Sequence, residues 1–444
     1  MTAVLFTPVP EDLAWSSLGF CAAARGLAPC EVATLGPDLS RPVRSAGTGR
    51  RLSDFDVVYV SVAWELEMPV LVRALAVAGV QPDRASRPAN HPLVVAGGPL
   101  TRSNPDLLAA CADAVFVGEA DASFGAIAAA LDGADGRADA LARLAAVPGC
   151  WVPAVHGVDI APPAPIAATN PDAPLRSPPH NPPNRFGGAF LVEVGRGCPR
   201  SCAFCVARTG AVPARFVPAE RILAAVPEGI ARVGLLGAAV SDHPHLHRIV
   251  RGLLAREIEV TLGSVRADRA TPELAELLAR SGLRTLTIAA DGVSEALRAS
   301  IRKDVTAAHL LAAADAARDA GIRRLRLYAM VGLPGESDAD LDEFCELLDM
   351  LAGRQRVAVS VSPFVPKRFT PLADAPFLPV REHKRRLALL RRRLGSRVKL
   401  RITSPREAEL EYRLSHVRGE AARQALASFT SAAALPEWDP FAER

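Results

Sequence analysis

The chain has 444 residues, 49% of them apolar, and a formal net charge of +4. This composition excludes a disordered chain, and the length exceeds what one hydrophobic core usually organises, so two or three domains are expected. No basic stretch precedes an apolar run at the N-terminus, and no window holds about 18 uninterrupted apolar residues. We therefore expect a cytoplasmic globular protein without a signal peptide or a membrane span.

The first part of the chain, 1–150, alternates short apolar runs with helix-like segments. Five runs are typical of strands buried on both faces: AVLF (3–6), CEVATL (30–35), DVVYVSV (56–62), PLVVAGG (92–98) and DAVFVGE (113–119). This alternation predicts an α/β domain with a doubly wound parallel sheet, which binds ligands beyond the carboxyl ends of its strands. Ser61, Gly97 and Gly98 fall at such ends, where glycine allows either a close approach to a ligand or a tight turn.

A proline-rich stretch predicts a linker at 151–187. Six further strand candidates follow, separated by segments with apolar residues at helical spacing: 190–195, 232–237, 259–265, 284–290, 323–332 and 357–365. Six strand and helix units predict a partial (β/α)6 barrel of the TIM class over 188–380, with its chemistry at the carboxyl ends of the strands.

The remaining region, 381–444, is expected to be small, helical and basic. Between Arg381 and Arg401 there are ten Lys or Arg against the single Glu382. Such a run can follow the phosphates of a nucleic acid, but it contains no aromatic residues that would stack bases. A solvated helix face over the barrel is the preferred interpretation, and nucleic-acid binding is the alternative. Ser404 and Glu407 predict the start of a further helix as a capping box.

Three of the eight cysteines stand in the segment RGCPRSCAFCVAR (196–208). Structural zinc prefers four protein ligands, usually in two pairs, and the chain has no second C-x2-C pair. Zinc completed by a distant histidine, and metal binding by HPHLH (243–247), are the less favoured alternatives. Three close thiolates at Cys198, Cys202 and Cys205 would leave one iron of a 4Fe-4S cubane without a protein ligand. An open metal position is what a catalytic site requires.

The spacing Cys198-x3-Cys202-x2-Cys205, with Phe204 just before the last cysteine and a strand before the first, closely resembles the radical S-adenosylmethionine (SAM) enzymes. The resemblance covers roughly 190–366. It implies a 4Fe-4S cluster whose free iron chelates SAM and whose electron releases a 5′-deoxyadenosyl radical. It also implies an external electron donor of the flavodoxin or ferredoxin type.

The same resemblance implies SAM contacts in two strand-end segments. Gly237 and Ala238 lie in LLGAAVSDHP, which looks like the glycine-containing segment at the SAM amino group. Ser264 and Arg266 lie in SVRAD, which looks like the segment that holds the SAM carboxylate or ribose. A guanidinium fork suits a carboxylate, and a solvated rim charge is the alternative for the arginine.

Two later segments complete the implied SAM site. MVGLPGES, which contains Met330 and Gly332, resembles the segment that flanks the adenine. Asp291 stands where similar sequences often have glutamate, so the sugar contact at this position departs from the family pattern.

Two radical SAM subfamilies place a nucleotide-like domain before the barrel. In methylthiotransferases that domain contributes three cysteines for a second cluster, but the strand-end loops of this chain contain none. The other subfamily has a cobalamin-binding domain, which the segment 93–121 resembles, and Ser61, Gly97 and Gly98 would then contact the cobalamin. We therefore expect a cobalamin-dependent radical SAM methyltransferase that acts on a carbon of a small molecule or peptide. A methylthiotransferase-like enzyme that modifies RNA or protein without cobalamin, and a non-catalytic iron-sulfur protein, are the alternatives.

Overall fold

The computed structural model describes residues 1–158, 161–168, 173–179, 182–207 and 213–430. These residues form two units. The first comprises the described residues up to 168, together with 175–188 and 413–430, and the second comprises 173–174 and 189–412. No helix in these ranges is both long and apolar enough to cross a membrane.

The first unit contains a six-stranded sheet. Its strands are β1 Ala3–Pro10, β2 Glu31–Leu35, β3 Val57–Ser61, β4 Leu93–Gly97, β5 Ala114–Phe116 and β6 Cys150–Trp151. They lie in the order β2-β1-β3-β4-β5-β6, and all pairs are parallel except that between β5 and β6. The strand order reverses at β1, so the carboxyl ends of β1 and β3 flank the position where such sheets bind ligands. The predicted doubly wound sheet is confirmed.

Helices connect these strands. They are α1 Glu11–Ala14, α2 Leu18–Gly26, α3 Glu67–Val77, α4 Pro105–Ala109, α5 Phe124–Leu131, α6 Gly136–Ala145 and α7 Pro153–His156. Ser17 caps α2, because its hydroxyl accepts a hydrogen bond from the Phe20 amide at 3.3 Å. The strands β1, β3 and β4 are buried on both faces, as expected of a parallel sheet covered by helices on either side.

The second unit contains two sheets. Its strands are β7 Phe190–Arg196, β8 Arg215–Phe216, β9 Arg232–Gly237, β10 Glu259–Leu262, β11 Thr285–Asp291, β12 Arg324–Val331, β13 Arg356–Pro363 and β14 Lys399–Ile402. The sheets have the orders β10-β9-β7-β8 and β11-β12-β13-β14, and a parallel bridge between Val265 and Ile288 joins them. All strand pairs are parallel except β7 with β8. The predicted partial barrel is confirmed.

The helices of the second unit cover one face of these sheets. They are α8 Ala219–Ala224, α9 Leu246–Leu254, α10 Pro272–Arg280, α11 Glu295–Ser300, α12 Ala307–Asp319, α13 Asp338–Ala352 and α14 Val380–Leu394. Leu325, Leu327 and Val331 of β12 share one buried core with Leu310 of α12 and Phe344 of α13. The core therefore lies between strands and helices, and the opposite face of each strand looks into the barrel.

The C-terminal region differs from the expected helical piece over 381–444. Lys399–Ile402 is a strand, β14, because Leu400 and Ile402 pack on the barrel core while the alternate residues Lys399 and Arg401 are exposed. The predicted helix start is present, with one of the two bonds of a capping box: α15 Pro405–His416 begins where the Glu407 amide donates to Ser404 Oγ at 3.5 Å. The helix α16 Gly419–Ala427 follows and belongs to the first unit.

The basic run, which lies on α14 and the residues after it, is partly neutralised by acids of α13. Arg385 pairs with Asp338 at 2.6 Å, and Arg397 pairs with Asp349 at 3.0 Å. Arg393 also pairs with Asp342. These ion pairs support the interpretation of the run as a helix face that lies against the barrel.

The stretch expected to be a linker, 151–187, belongs largely to the first unit where the structure describes it. Ile166 pairs with Gly118, and the Ala168 amide donates to Glu119 at 2.8 Å. Proline removes amide donors but leaves carbonyls and the remaining amides free to pair, so a proline-rich segment can still pack against a sheet.

Candidate active site

The cysteine loop begins after β7, at the carboxyl ends of the barrel strands. Its three motif cysteines are partly buried: Cys198, Cys202 and Cys205. The Ala203 amide donates to the Ile301 carbonyl at 2.9 Å, and the Ala203 carbonyl accepts from the Leu372 amide at 3.2 Å. The loop is therefore held on two sides by backbone hydrogen bonds within the second unit.

Positive charge lies beside these thiols. Burial raises the pKa of the Cys202 thiol, and the charges of Lys303 and Arg266 oppose that rise. Burial also raises the pKa of the Cys205 thiol, which Cys198 raises further and Lys303 lowers. The effect of a charge on a neighbouring pKa weakens with distance. The three sulfur atoms and the Lys303 ammonium therefore form one electrostatic group. The cations favour the thiolate, which is the form that binds iron.

The donor set fits an iron-sulfur cluster better than a single metal ion. Among the residues that the structure describes, no three His, Cys, Asp or Glu side chains are grouped so that they could hold one ion. The thiolates of a cubane bind separate irons, so they stand apart around the cluster. Three soft ligands on an anchored loop, with cations beside them, meet this requirement.

Three of the predicted SAM contacts lie in the cysteine loop or at the end of the neighbouring strand β9. Phe204 is in the loop, and Gly237 and Ala238 are at the end of β9. Phe204 is partly buried and packs against the barrel core. Gly237 ends β9, and both it and Ala238 are exposed. These two positions at the end of β9 are therefore accessible, as the predicted contact with SAM requires.

Arg266 is buried and bonded to its neighbours. Its Nε donates to Asp268 at 2.9 Å, and its Nη2 donates to the Lys303 carbonyl at 3.0 Å. Its amide donates to the Ser241 hydroxyl at 3.2 Å. These bonds leave Nη1 as the guanidinium nitrogen for the predicted contact with SAM. Ser264, two residues earlier, is exposed.

Asp291, the predicted sugar contact, has a cation partner that sequence reasoning missed. Its carboxylate lies 2.5 Å from the Lys303 ammonium, and both side chains are largely buried. The only sequence signal for this partner is a lysine in the short segment IRKD between two helix patterns. The pair connects the end of β11 to the group of thiols.

Side chains of α14 lie against the segment after β12 and support it. Gly332 has a φ of 96°, and a Cβ at this position would overlap the buried ring of His383. The Gly332 amide donates to Glu336 at 2.9 Å, and Glu336 accepts from Arg386 at 2.6 Å. Met330, at the end of β12, is partly buried. Sequence reasoning missed the three supporting side chains: Glu336 stands within MVGLPGES but was given no role, and His383 and Arg386 lie on a distant helix.

The ring of His243, the first histidine of HPHLH, bonds to the backbone through both of its nitrogens. His243 Nε2 donates to the Val217 carbonyl at 2.9 Å, and its Nδ1 accepts from the His245 amide at 3.0 Å. Burial lowers the pKa of His243, so the neutral ring that these bonds need is favoured. Both ring nitrogens are therefore engaged without a metal.

In the first unit, the predicted cobalamin contacts lie at the carboxyl ends of β3 and β4. Gly98 has a φ of 104°, and a Cβ there would lie 2.5 Å from the Val62 carbonyl oxygen, so the backbone of its own unit requires this glycine. Ser61 and Gly97 are half-exposed, and a Cβ on Gly97 would approach no atom closer than 3.7 Å. The tight-turn interpretation therefore holds for Gly98, whereas Ser61 and Gly97 leave open surface at this edge.

Two family models match the chain. Residues 192–348 match the model described as the radical SAM superfamily. Residues 27–153 match the model described as radical SAM proteins, N-terminal. An uncharacterized protein of Methanocaldococcus jannaschii is 28% identical over 326 residues, which are 72% of this chain and 68% of that protein.

Solved structures of the cobalamin-dependent S-adenosylmethionine radical enzyme OxsB share the fold. The form with aqua-cobalamin bound matches 78% of this chain and 52% of its own chain, with a TM-score of 0.55 and 16% identity. The apo form matches 88% and 61%, with a TM-score of 0.52 and 15% identity. This chain thus spans about half the length of OxsB.

Proposed function

Because this chain is a radical SAM protein, we propose that it reductively cleaves SAM, with a 4Fe-4S cluster held by Cys198, Cys202 and Cys205. The observation that carries the proposal is the anchored loop with three partly buried thiols at the carboxyl end of β7. When bound, the cluster supplies one electron to SAM, whose bond from sulfur to the adenosyl carbon breaks to give methionine and the 5′-deoxyadenosyl radical.

The chain's own residues prepare this site before any cofactor binds. Backbone bonds at Ala203 hold the loop, and Lys303 and Arg266 favour the thiolates. Glu336 accepts from the Gly332 amide and so holds the turn that would lie against the adenine. Each of these contacts holds a segment that would lie against SAM in the proposed site.

Anaerobic reconstitution with iron and sulfide tests this proposal. We expect about four irons per chain and release of 5′-deoxyadenosine when SAM and a reductant are added, either dithionite or reduced flavodoxin. Cys205→Ser should lose both, whereas Cys30→Ser, a partly buried cysteine of the first unit, should retain both. A cluster whose spectrum does not change with SAM, and no 5′-deoxyadenosine, would identify a non-catalytic iron-sulfur protein.

We further propose that the first unit binds cobalamin and that a methyl group is transferred to an unactivated carbon of a small molecule or peptide. The strand order of its sheet and the likeness in fold to OxsB support this. Ser61 and Gly97 would hold the corrin at the open edge of the sheet, and the corrin would supply a methyl carrier.

Equilibrium dialysis against hydroxocobalamin tests the corrin site. Gly97→Val should weaken binding at least about tenfold, because the added methyl groups would occupy the open surface. Gly125→Val, on α5 and with no atom near the added carbon, is the matched control. If the wild-type chain releases 5′-deoxyadenosine but retains no corrin, the cobalamin part is wrong and SAM cleavage stands.

A further inference from the structure

The strands β12 and β13 alternate buried residues with exposed or half-buried ones, which is unusual for parallel strands. A parallel sheet covered on both faces consists of near-continuous apolar runs, and β7 follows that rule. In β12, by contrast, Leu325 and Leu327 are buried, whereas Arg326 and Tyr328 are exposed. One face of this sheet therefore packs on helices, and the other face is open to the barrel interior.

We call this second face the inner face. It includes Thr287 of β11, Arg326 and Tyr328 of β12, Ser360 of β13, and Lys399 and Arg401 of β14. The alternate residues Leu286, Leu325, Val359 and Leu400 lie in or against the helix-side core, which places the inner-face residues on the opposite side.

Strand register places two cations of the inner face at one level. Arg326 is paired with Ala358, and Ala358 is paired with Lys399. Neighbouring strands are about 4.8 Å apart, so the backbones of the two cations are about 10 Å apart. Only the methyl group of Ala358 lies between them on this face. The two long side chains can therefore converge on one anion.

These two cations have no partner in the described part of the chain. Arg326 and Lys399 are exposed and take part in no ion pair or side-chain hydrogen bond there. The nearby Tyr328 is 40% exposed, although it stands in the middle of a central strand. A cation pair next to an open aromatic ring is a typical arrangement for binding an anion with a ring or an apolar body.

The cofactors of the proposed function do not account for these charges. SAM carries a sulfonium and an ammonium against one carboxylate, so two further cations would repel it. The cations that act on the Cys202 thiol are Lys303 and Arg266. Arg326 lies four residues before Met330, which is about 13 Å along β12. Its charge therefore faces a different part of the barrel.

We propose that the inner face binds an anionic substrate, whose phosphate or carboxylate group is held by Arg326 and Lys399 and whose body lies against Tyr328. The inference rests on the proposed function, because it names the substrate class of the same barrel. Tyr328 lies between Arg326 and Met330 along β12, so the body of the substrate would extend from the anion toward the carboxyl ends of the strands. That is the end where the radical would form.

Calorimetric titration of the full chain with its cluster tests this proposal. Pyrophosphate and succinate are the probes, and their comparison distinguishes a phosphate from a carboxylate site. We expect one of them to bind, and Arg326→Gln to weaken that binding at least about tenfold through loss of a bidentate, charge-assisted contact. Arg392→Gln removes the same charge from the exposed surface of α14 and should bind like the wild-type chain.

Lys399→Gln is the second variant, because it lies at the exposed start of an edge strand and should fold even if Arg326→Gln does not. Binding of neither probe, or equal binding by the Arg326, Lys399 and Arg392 variants, would overturn the inference.

Release of 5′-deoxyadenosine by the wild-type chain is measured in parallel, without probe. If SAM is cleaved but neither probe binds, the anionic class is wrong and the proposed function stands. If a probe binds as expected and SAM is not cleaved, the anion site stands and the proposed function fails.

Discussion

The Lys303 ammonium lies 2.5 Å from the Asp291 carboxylate, at the end of β11. Asp291 has a φ of 65°, a left-handed conformation that aspartate and asparagine adopt more readily than other side chains. Lys303 also acts on the Cys202 and Cys205 thiols. One lysine therefore holds a strained strand end and contributes positive charge to the group of thiols.

Lys303→Gln should make the cluster harder to reduce. Removing a positive charge beside the thiolates favours the oxidised form of the cluster. We therefore expect its reduction potential to fall by on the order of tens of millivolts, as expected for the loss of one nearby charge. Redox titration followed by electron paramagnetic resonance measures this shift. Lys384→Gln, on the exposed surface of α14, is the control, and an equal potential in both variants would contradict the prediction.

Breaking the pair from either side should destabilise the second unit. Asp291→Asn keeps a residue that tolerates the left-handed conformation but removes the charge, so it leaves Lys303 largely buried and unpaired. We expect Asp291→Asn and Lys303→Gln each to lower the free energy of unfolding by about 1–3 kcal/mol. The double variant should lose less than the sum of the two, and urea unfolding of the three variants checks this. Strict additivity would show that the two groups do not interact.

Gly332→Ala should destabilise the chain more than Gly335→Ala. Both glycines have left-handed φ values, 96° and 80°, so both variants carry backbone strain. Only Gly332 lies against a neighbour, the buried ring of His383, whereas a Cβ on Gly335 would meet nothing within 4 Å. We expect an additional loss of about 1–3 kcal/mol at Gly332 from overpacking. Thermal unfolding of the two variants measures this difference, and equal melting temperatures would contradict it.

His383 should make stability depend on pH in the acidic range. Burial, and to a smaller extent Arg386, lower the pKa of its imidazole to about 4 in the folded chain. The unfolded chain takes up a proton near the ordinary imidazole pKa of about 6.5. Between these values the unfolded state binds more protons, so stability falls as the pH is lowered from about 6.5 to about 4.

Calorimetric melting temperatures across this range measure the effect of His383. In His383→Leu, which has a side chain of similar size and no proton to bind, the fall should be shallower than in the wild-type chain. If the melting temperature falls equally steeply with pH in the two proteins, His383 does not titrate in this way.

Local patterns predicted the strands of both units well, but they did not predict contacts between distant segments. The three motif cysteines lie on one short loop, so their spacing alone indicates a shared site. The strand Lys399–Ile402 was missed because four residues are too few to separate alternating from helical spacing in a basic run. Gly98 illustrates a second limit, since sequence alone left a ligand and a tight turn equally open, and the close approach of the Val62 backbone explains this glycine without testing the ligand.

The sequence by itself indicated the radical SAM family and the order of most strands and helices, because motif spacing and hydrophobic periodicity are local properties of the chain. Only the tertiary structure decided which side chains meet. Lys303 reaches Asp291, and His383 lies behind Gly332, through packing between separate elements. Arg326 and Lys399 share one level of the inner face because of the register of three parallel strands. A shift of one residue in that register would move these charges to the opposite face, so no local pattern can establish it.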